Sequence, residues 1–146
     1  MKYLLIILTM LQGGWVIGQK SVEKSVDVTS VSKIVLDASN LFGVSLSTIK
    51  GSQVFLDTQM EGEYQEKYIN SVKKEGTTLY IGVERAPAFH DINDKLSAHK
   101  VVSVHLDIAV PEFKEVVVYG DYTSISARGK YKLLELSTRN KPITIG

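Results

Sequence analysis

Apolar and polar residues alternate along most of the chain after residue 30, which is the pattern of strands with one buried face. The alternation is regular at 31–37, 42–47, 53–57, 77–83 and 102–110, where the last segment ends at Pro111. Turn residues such as Ser39-Asn40 and Gly51-Ser52 separate these segments. The pattern therefore predicts an all-β fold.

Two segments depart from this alternation. Tyr64, Tyr68 and Val72 recur every four residues with charged residues between them, which favours one short amphipathic helix over 64–74 at a sheet edge. Residues 84–100 have no sustained period and contain Pro87 together with several histidine and aspartate residues. We predict an excursion loop there of about fifteen residues, a length that is uncommon in compact domains and often functional.

From Phe113 onward the chain nearly repeats itself. Residues 18 positions apart match in character, in the pairs Phe113 and Tyr131, Val116 and Leu134, Val118 and Leu136, and Ile125 and Ile143. Such a repeat is typical of solenoid rungs that bury their inward residues against a neighbour. We therefore predict a short right-handed β-solenoid, single-stranded and β-helix-like. The alternative is a β-sandwich in which the two units are ordinary strands.

The N-terminal residues predict a signal peptide over 1–19. Lys2 precedes an apolar run at 4–11, and the small residues Gly13-Gly14 follow it. The run is shorter than the roughly 20 apolar residues that span a bilayer, so we expect no transmembrane segment after cleavage. Residues 20–146 would then form a single β-rich domain exported to the periplasm, the cell surface or the medium.

Charge and cysteine content narrow the function classes. Of the 17 Lys and Arg residues only Lys2 lies within 1–19, so the remaining chain balances 16 basic against 16 acidic residues. Nucleic-acid binders usually carry a basic excess, and we expect no nucleic-acid partner. The chain has no cysteine, which excludes both disulfide bonds and lipid attachment through a cysteine.

The predicted loop holds the residue types that bind metals, His90, Asp91, Asp94 and His99. Imidazole nitrogens and carboxylate oxygens suit zinc or a similar ion. The spacing matches no compact motif, however, since Lys95 and the missing glycine are incompatible with an EF-hand loop. A solvated polar loop explains these residues better, and we expect no bound cofactor.

Other acid–base combinations have simple structural explanations. His105 and Asp107 lie on one face of a predicted strand, where they form the polar side of a sheet unless a third group joins them. A glycosidase pair could be drawn from Asp57, Glu61, Glu63 and Glu66. These acids fall at a predicted turn and helix start, where they favour the helix dipole. We therefore predict no catalytic residues and no enzymatic activity.

The C-terminal repeat unit is locally basic. Five Lys and Arg residues face one Glu between 128 and 141, and tyrosines lie nearby. Basic groups beside tyrosines can bind anionic glycans, whereas lysines at a sheet edge also prevent aggregation. The candidate glycan or partner surface consists of Tyr119, Tyr122, Arg128, Lys130, Lys132, Arg139 and Lys141, with Tyr131 beside them.

A family resemblance is carried by residues 101–125. They combine an alternating strand, Val110-Pro111-Glu112-Phe113, a second strand, and then Gly120 and Ile125. With 68–72 leading into 76–81, and with the strands at 33–36 and 44–46, this arrangement resembles the autotransporter adhesin head GIN domain family over most of 30–146. The resemblance implies an exported, β-rich, solenoid-like domain that has no established activity and no catalytic residues.

The sequence ends within a predicted strand at 143–146. Because an unpaired strand edge is a template for another chain, we expect self-association through this edge. We predict an exported, non-catalytic cell-envelope or surface module, adhesin-like, that acts by binding or assembly on envelope polysaccharide or another protein. The alternative is a glycan- or metal-binding protein, with polysaccharide processing as one variant, that uses the 84–100 loop.

Overall fold

A computed structural model describes residues 20–61, 68–87 and 103–146. These residues contain no helix, and the all-β prediction is confirmed for them. They form eleven strands: β1 (Lys20–Asp27), β2 (Lys33–Asp37), β3 (Gly43–Ile49), β4 (Gln53–Glu61), β5 (Tyr68–Glu75), β6 (Thr78–Arg85), β7 (Ser103–Pro111), β8 (Glu115–Tyr119), β9 (Ser124–Arg128), β10 (Leu133–Ser137) and β11 (Ile143–Ile145).

The strands form two mixed sheets. A six-stranded sheet has the order β1-β4-β7-β3-β9-β11, and a five-stranded sheet has the order β10-β8-β2-β6-β5. Pairing is parallel except at β1–β4, β4–β7 and β5–β6. The antiparallel pairs therefore lie at one end of each sheet, and the parallel strands occupy the rest.

Alternation along each strand divides its residues between the core and the outer surface. In β4 the side chains of Val54, Leu56, Thr58 and Met60 are buried, whereas that of Phe55 is 47% exposed. The inward side chains of both sheets form one apolar cluster. Each fully buried leucine or valine contributes about 1.5–3 kcal/mol to stability. Burial of the inward side chains therefore determines which side chains lie on the outer faces of the two sheets, where they can contact a ligand.

The 18-residue repeat corresponds to direct strand pairing. β10 lies parallel to β8 with Leu134 beside Val116, and β11 lies parallel to β9 with Ile143 beside Ile125. β2 and β3 pair with β8 and β9 in the same way on their other side. Three units, each with one strand in each sheet, are therefore stacked.

The layout as a whole matches the sandwich alternative. Two sheets enclose one core, and no closed solenoid forms within the described residues. The stacked units account for the parallel strands alone, because β1, β4 and β5 pair in antiparallel fashion. The solenoid-like repeat is therefore limited to the parallel strands and does not extend to β1, β4 and β5.

The predicted helix over 64–74 is wrong for the residues that the structure describes. Residues Tyr68–Glu75 form a strand that pairs with β6 through a turn at Gly76, whose φ is 58°. Tyr68 and Val72 do pack against the core. A spacing of four is even, however, so it places two residues on the same face of a strand as readily as of a helix.

Several predictions lie outside the described residues. These are the signal peptide at 1–19, most of the 84–100 loop, and the metal candidates His90, Asp91, Asp94 and His99. The loop begins later than predicted, because β6 continues to Arg85. In the three described ranges, no helix is long and apolar enough to cross a membrane.

Candidate functional site

The outer face of the six-stranded sheet contains a cleft of about 1060 Å³ that is lined by residues from every strand of the sheet. Its lining comes mainly from two rows of outward residues that are direct neighbours on successive strands. The polar row consists of Glu23, Asp57, Asp107, Ser45, Ser126 and Thr144. The mixed row consists of Ser25, Phe55, Ala109, Ser47 and Arg128.

Small side chains form the floor of the cleft. Ser47 lies beside Ala109 on β7, and Ser45 lies between Asp107 and Ser126. The side chains of Ser45, Ser47, Ala109 and Ser126 each have only one or two heavy atoms, so the space above the central strands stays open. Their hydroxyl groups can both donate and accept hydrogen bonds. The floor is therefore open and, in its polar row, able to hydrogen-bond.

One wall combines an aromatic ring with acids. Phe55 on β4 is 47% exposed and lines the cleft beside Asp57. Glu23, Asp57 and Asp107 are direct neighbours on β1, β4 and β7. Like charges directly opposite each other destabilise a sheet by a few tenths to about 1 kcal/mol. The close placement of these three carboxylates therefore lowers the stability of the folded state.

Neutral hydrogen-bond donors hold these acids in place. Ser21 donates its hydroxyl to Asp57 at 2.5 Å. The Gln59 amide lies between the two aspartates, 3.4 Å from Oδ2 of Asp57 and 3.3 Å from Oδ2 of Asp107. Since none of these donors is charged, Lys24 is the basic residue beside the three carboxylates of this wall, which keeps a net negative charge.

Arg128 lies on the opposite side of the cleft. In the mixed row, Ser47 and Ala109 separate it from Phe55, so the two are three strand spacings apart, about 14 Å. No described residue forms a hydrogen bond or ion pair with its guanidinium group. The cleft therefore has Arg128 on β9 at one side, and at the other the carboxylates of Glu23, Asp57 and Asp107 with Lys24 of β1 beside them.

The other basic residues of the predicted surface have partners within the chain. Lys130 lies 3.9 Å from Glu112, Lys132 lies 2.7 Å from Glu115, and Arg139 lies 3.5 Å from Asp121. Lys141 lies 5.5 Å from the centroid of the Phe42 ring. The hydrogen bond from Lys132 also lowers the pKa of Glu115. Much of this pairing follows from the repeat, because the stacking of successive units brings the basic residues of one unit close to the acidic residues of the preceding unit.

The seven residues of the predicted surface do not form one continuous face. Tyr122, Arg139 and Lys141 follow the ends of β8 and β10, whereas Lys130 and Lys132 precede the start of β10. Because β8 and β10 are parallel, these two groups lie at opposite ends of a five-residue strand, about 16 Å apart. Arg128 faces the cleft, and Tyr119 faces outward from the other sheet.

The outer face of the five-stranded sheet carries larger side chains. Tyr80, Val35 and Val117 are direct neighbours across β6, β2 and β8. Tyr119 lies beside them, next to Asp37 on β2. The pKa of Tyr119 is raised, mainly by burial and secondly by the charge and hydrogen bond of Asp37. Tyr80 is 42% exposed and Tyr119 is 41% exposed. The outer face of the five-stranded sheet is therefore covered by large apolar side chains, unlike the floor of the cleft on the six-stranded sheet.

The prediction that His105 and Asp107 lie on the same outward face of one strand is confirmed. The His105 ring packs against the backbone of Gly43 and lies 5.2 Å from the Phe42 ring, centroid to centroid. Among the acids considered for sugar chemistry, Asp57 lines the cleft and Glu61 ends β4. Glu63 and Glu66 lie outside the described residues. Within the described ranges, no group of three or more His, Asp or Glu side chains is arranged to hold a metal ion.

Sequence reasoning missed the cleft because it depends on side-chain size at outward positions. The alternation already placed Phe55 outward, between the inward residues Val54 and Leu56, and an exposed phenylalanine was a usable signal. The strand β1, which supplies Glu23, was also missed. The order of the six strands could not be read from the pattern, and that order brings the acids together.

No protein-family model and no curated protein matches the chain. Among solved structures, the fold is similar to a "putative cell adhesion protein" from Clostridium sporogenes, with a TM-score of 0.54 at 11% identity, over 83% of this chain and 57% of that one. "Putative adhesin" structures from Parabacteroides distasonis and Parabacteroides merdae align at 11% identity with TM-scores of 0.42 and 0.43, over 86% and 85% of this chain and 56% of each of theirs. The chain therefore spans less than two thirds of these proteins' length. At this identity, the likeness to the first protein shows a shared fold.

Proposed function

We propose that the chain is an exported, non-catalytic surface module, adhesin-like in role, that binds an extended glycan in the cleft of the six-stranded sheet. The observation that carries the proposal is the exposed Phe55 ring beside an open, hydroxyl-bearing floor. Ligand sites are concave, with apolar walls and a few convergent polar groups. The cleft has both properties.

The chemistry of the lining suits a sugar. A pyranose ring has apolar C–H faces that pack on an aromatic ring, and hydroxyls at its edge that donate and accept hydrogen bonds. Phe55 supplies the ring, Asp57 and Asp107 supply acceptors, and Ser45 and Ser126 supply groups of both kinds. A chain of sugars would lie along the floor and contact several strands at once.

Two further points support a role at the cell surface. The N-terminal 1–19 segment has the order of charge, apolar run and small residues that directs export. A solved structure with a similar fold is named a "putative cell adhesion protein". Membership of the head GIN family, self-association through the C-terminal strand and the use of the 84–100 loop stay predictions.

Binding of the full chain to a glycan array tests the proposal, with affinities for the strongest hits measured by calorimetry. We expect Phe55→Ala to weaken binding at least about tenfold, which corresponds to about 1.4 kcal/mol. Tyr80→Ala is the matched control, because Tyr80 is an aromatic residue of similar exposure on the other sheet. Unchanged binding by Phe55→Ala, or loss of binding by Tyr80→Ala alone, would contradict the proposal.

A further inference from the structure

We infer that Arg128 determines the specificity of the cleft, and that it selects glycans with isolated carboxylates, in which a uronic acid alternates with a neutral sugar. This inference rests on the proposed function. It concerns which class of glycan binds, whereas the proposal above concerns whether the cleft binds glycans at all.

Among the residues that the structure describes, none forms a hydrogen bond or ion pair with the guanidinium group of Arg128. Lys130, Lys132 and Arg139 pair with acids of the chain, but the described residues offer Arg128 no such partner. Arg128 also lines the cleft directly. A planar guanidinium binds a carboxylate through two parallel hydrogen bonds, which gives direction as well as affinity.

The backbone at Arg128 is held in place by neighbouring residues. Its carbonyl accepts a hydrogen bond from the Tyr131 hydroxyl at 2.8 Å. The next residue, Gly129, has a φ of 124° and packs so closely on Thr48 that a β-carbon would lie 2.1 Å from the threonine hydroxyl. The same hydroxyl accepts the amide of Lys130 at 3.0 Å. A side chain that starts from a fixed backbone position loses less entropy on binding.

The opposite wall disfavours densely charged ligands, because its three carboxylates outnumber Lys24, the basic residue that lines the cleft there. Asp107 lies two strands from Arg128, about 10 Å across the sheet, with Asp57 and Glu23 beyond it. An anionic group near these carboxylates is repelled, whereas one at Arg128 is attracted. The wall therefore favours a neutral sugar next to the Phe55 ring. A ligand with an acid on every sugar meets both regions and loses on one side what it gains on the other.

The test measures the affinity of the full chain for two probes by titration calorimetry. One probe is an oligosaccharide of alternating glucuronic acid and N-acetylglucosamine, and the other is the same oligosaccharide with its carboxylates reduced to alcohols. We expect the wild type to prefer the charged probe at least about tenfold. Arg128→Gln should abolish the preference, and Arg139→Gln, the matched control at a paired arginine, should retain it.

The outcomes separate the two claims. Equal binding of both probes by the wild type, or a preference that survives Arg128→Gln, overturns the role of Arg128. If Phe55→Ala still weakens binding in either of those cases, the glycan-binding function stands. If the wild type binds neither probe, the inference is overturned, and if it also binds no glycan on the array, the proposed function fails with it.

A third probe tests the acidic wall. A sulfated oligosaccharide of the same length, with an anionic group on every sugar, should bind more weakly than the alternating one. The double variant Asp57→Asn/Asp107→Asn should bind the sulfated probe about threefold or more tightly than the wild type does. Asparagine removes the charge repulsion and keeps the size and a hydrogen-bonding group of aspartate. An affinity that does not rise would show that the wall plays no part in selection.

Discussion

The two outer faces of this molecule arise from the same alternation of residues and yet differ in chemistry. On the six-stranded sheet the central outward positions are serine and alanine, as at Ser45, Ser47 and Ala109, and a cleft remains above them. On the five-stranded sheet the corresponding positions are Tyr80, Val35 and Val117, which cover the strands. Inward residues determine the fold in both sheets, and the size of outward residues determines where a ligand can bind.

The largest effect should come from an inward residue of the cleft strands. Leu46 is 2% exposed and lies between the outward residues Ser45 and Ser47. Leu46→Ala should lower the free energy of unfolding by about 2–5 kcal/mol, because it removes apolar contacts and leaves a cavity. Leu133→Ala, at a leucine that is 51% exposed, should change it by less than about 0.5 kcal/mol. Denaturant unfolding measures both, and similar losses would contradict the division between inward and outward positions.

Filling the cleft should abolish binding while the fold is kept. Ser126→Trp places a large ring on the floor, and we expect glycan affinity to fall about a hundredfold, or about 2.8 kcal/mol. The residue is outward and exposed, so the unfolding midpoint should hardly change. Val35→Trp makes a similar change on the other sheet and should leave affinity unaltered. If the two variants behaved alike in calorimetry, the difference between the faces would have no functional meaning.

Removing the paired basic residues should have a small effect. The combined variant with Lys130, Lys132, Arg139 and Lys141 each changed to glutamine should bind glycan within about twofold of the wild type, because none of these four side chains lines the cleft. Arg128→Gln alone should weaken binding of the uronate probe more than all four changes together. A larger loss in the combined variant would restore the basic C-terminal surface as the binding site.

The smallest effect concerns pH. Burial raises the pKa of Tyr131 to about 12 from an ordinary value of 10.0. The folded state thus holds this proton more tightly, and the resulting stability is full below about pH 10 and is lost as pH rises toward about 12. Denaturant unfolding at several alkaline pH values should show a shallower decline in Tyr131→Phe than in the wild type. Equal slopes would show that the partly buried phenol of Tyr131 does not contribute.

The sequence predicted the strands well because burial of one face imposes a period of two. It failed at Tyr68 to Glu75, where a spacing of four is compatible with both a strand and a helix. The charge count over 128–141 does not show that Arg139 lies 3.5 Å from Asp121 of the preceding unit. Ion pairs between units, and the order of strands that joins Glu23, Asp57 and Asp107, depend on tertiary pairing that local pattern does not encode.

The most direct test of the account is an NMR titration of the full chain, isotopically labelled, with the alternating uronate oligosaccharide. We predict that the amide signals that shift will be those of Ser45, Ser47, Ser126 and Arg128, on the cleft floor and its basic side. Shifts at Tyr80, Val35 and Tyr119 instead would place the ligand on the five-stranded sheet and contradict the central claim that the cleft is the binding site.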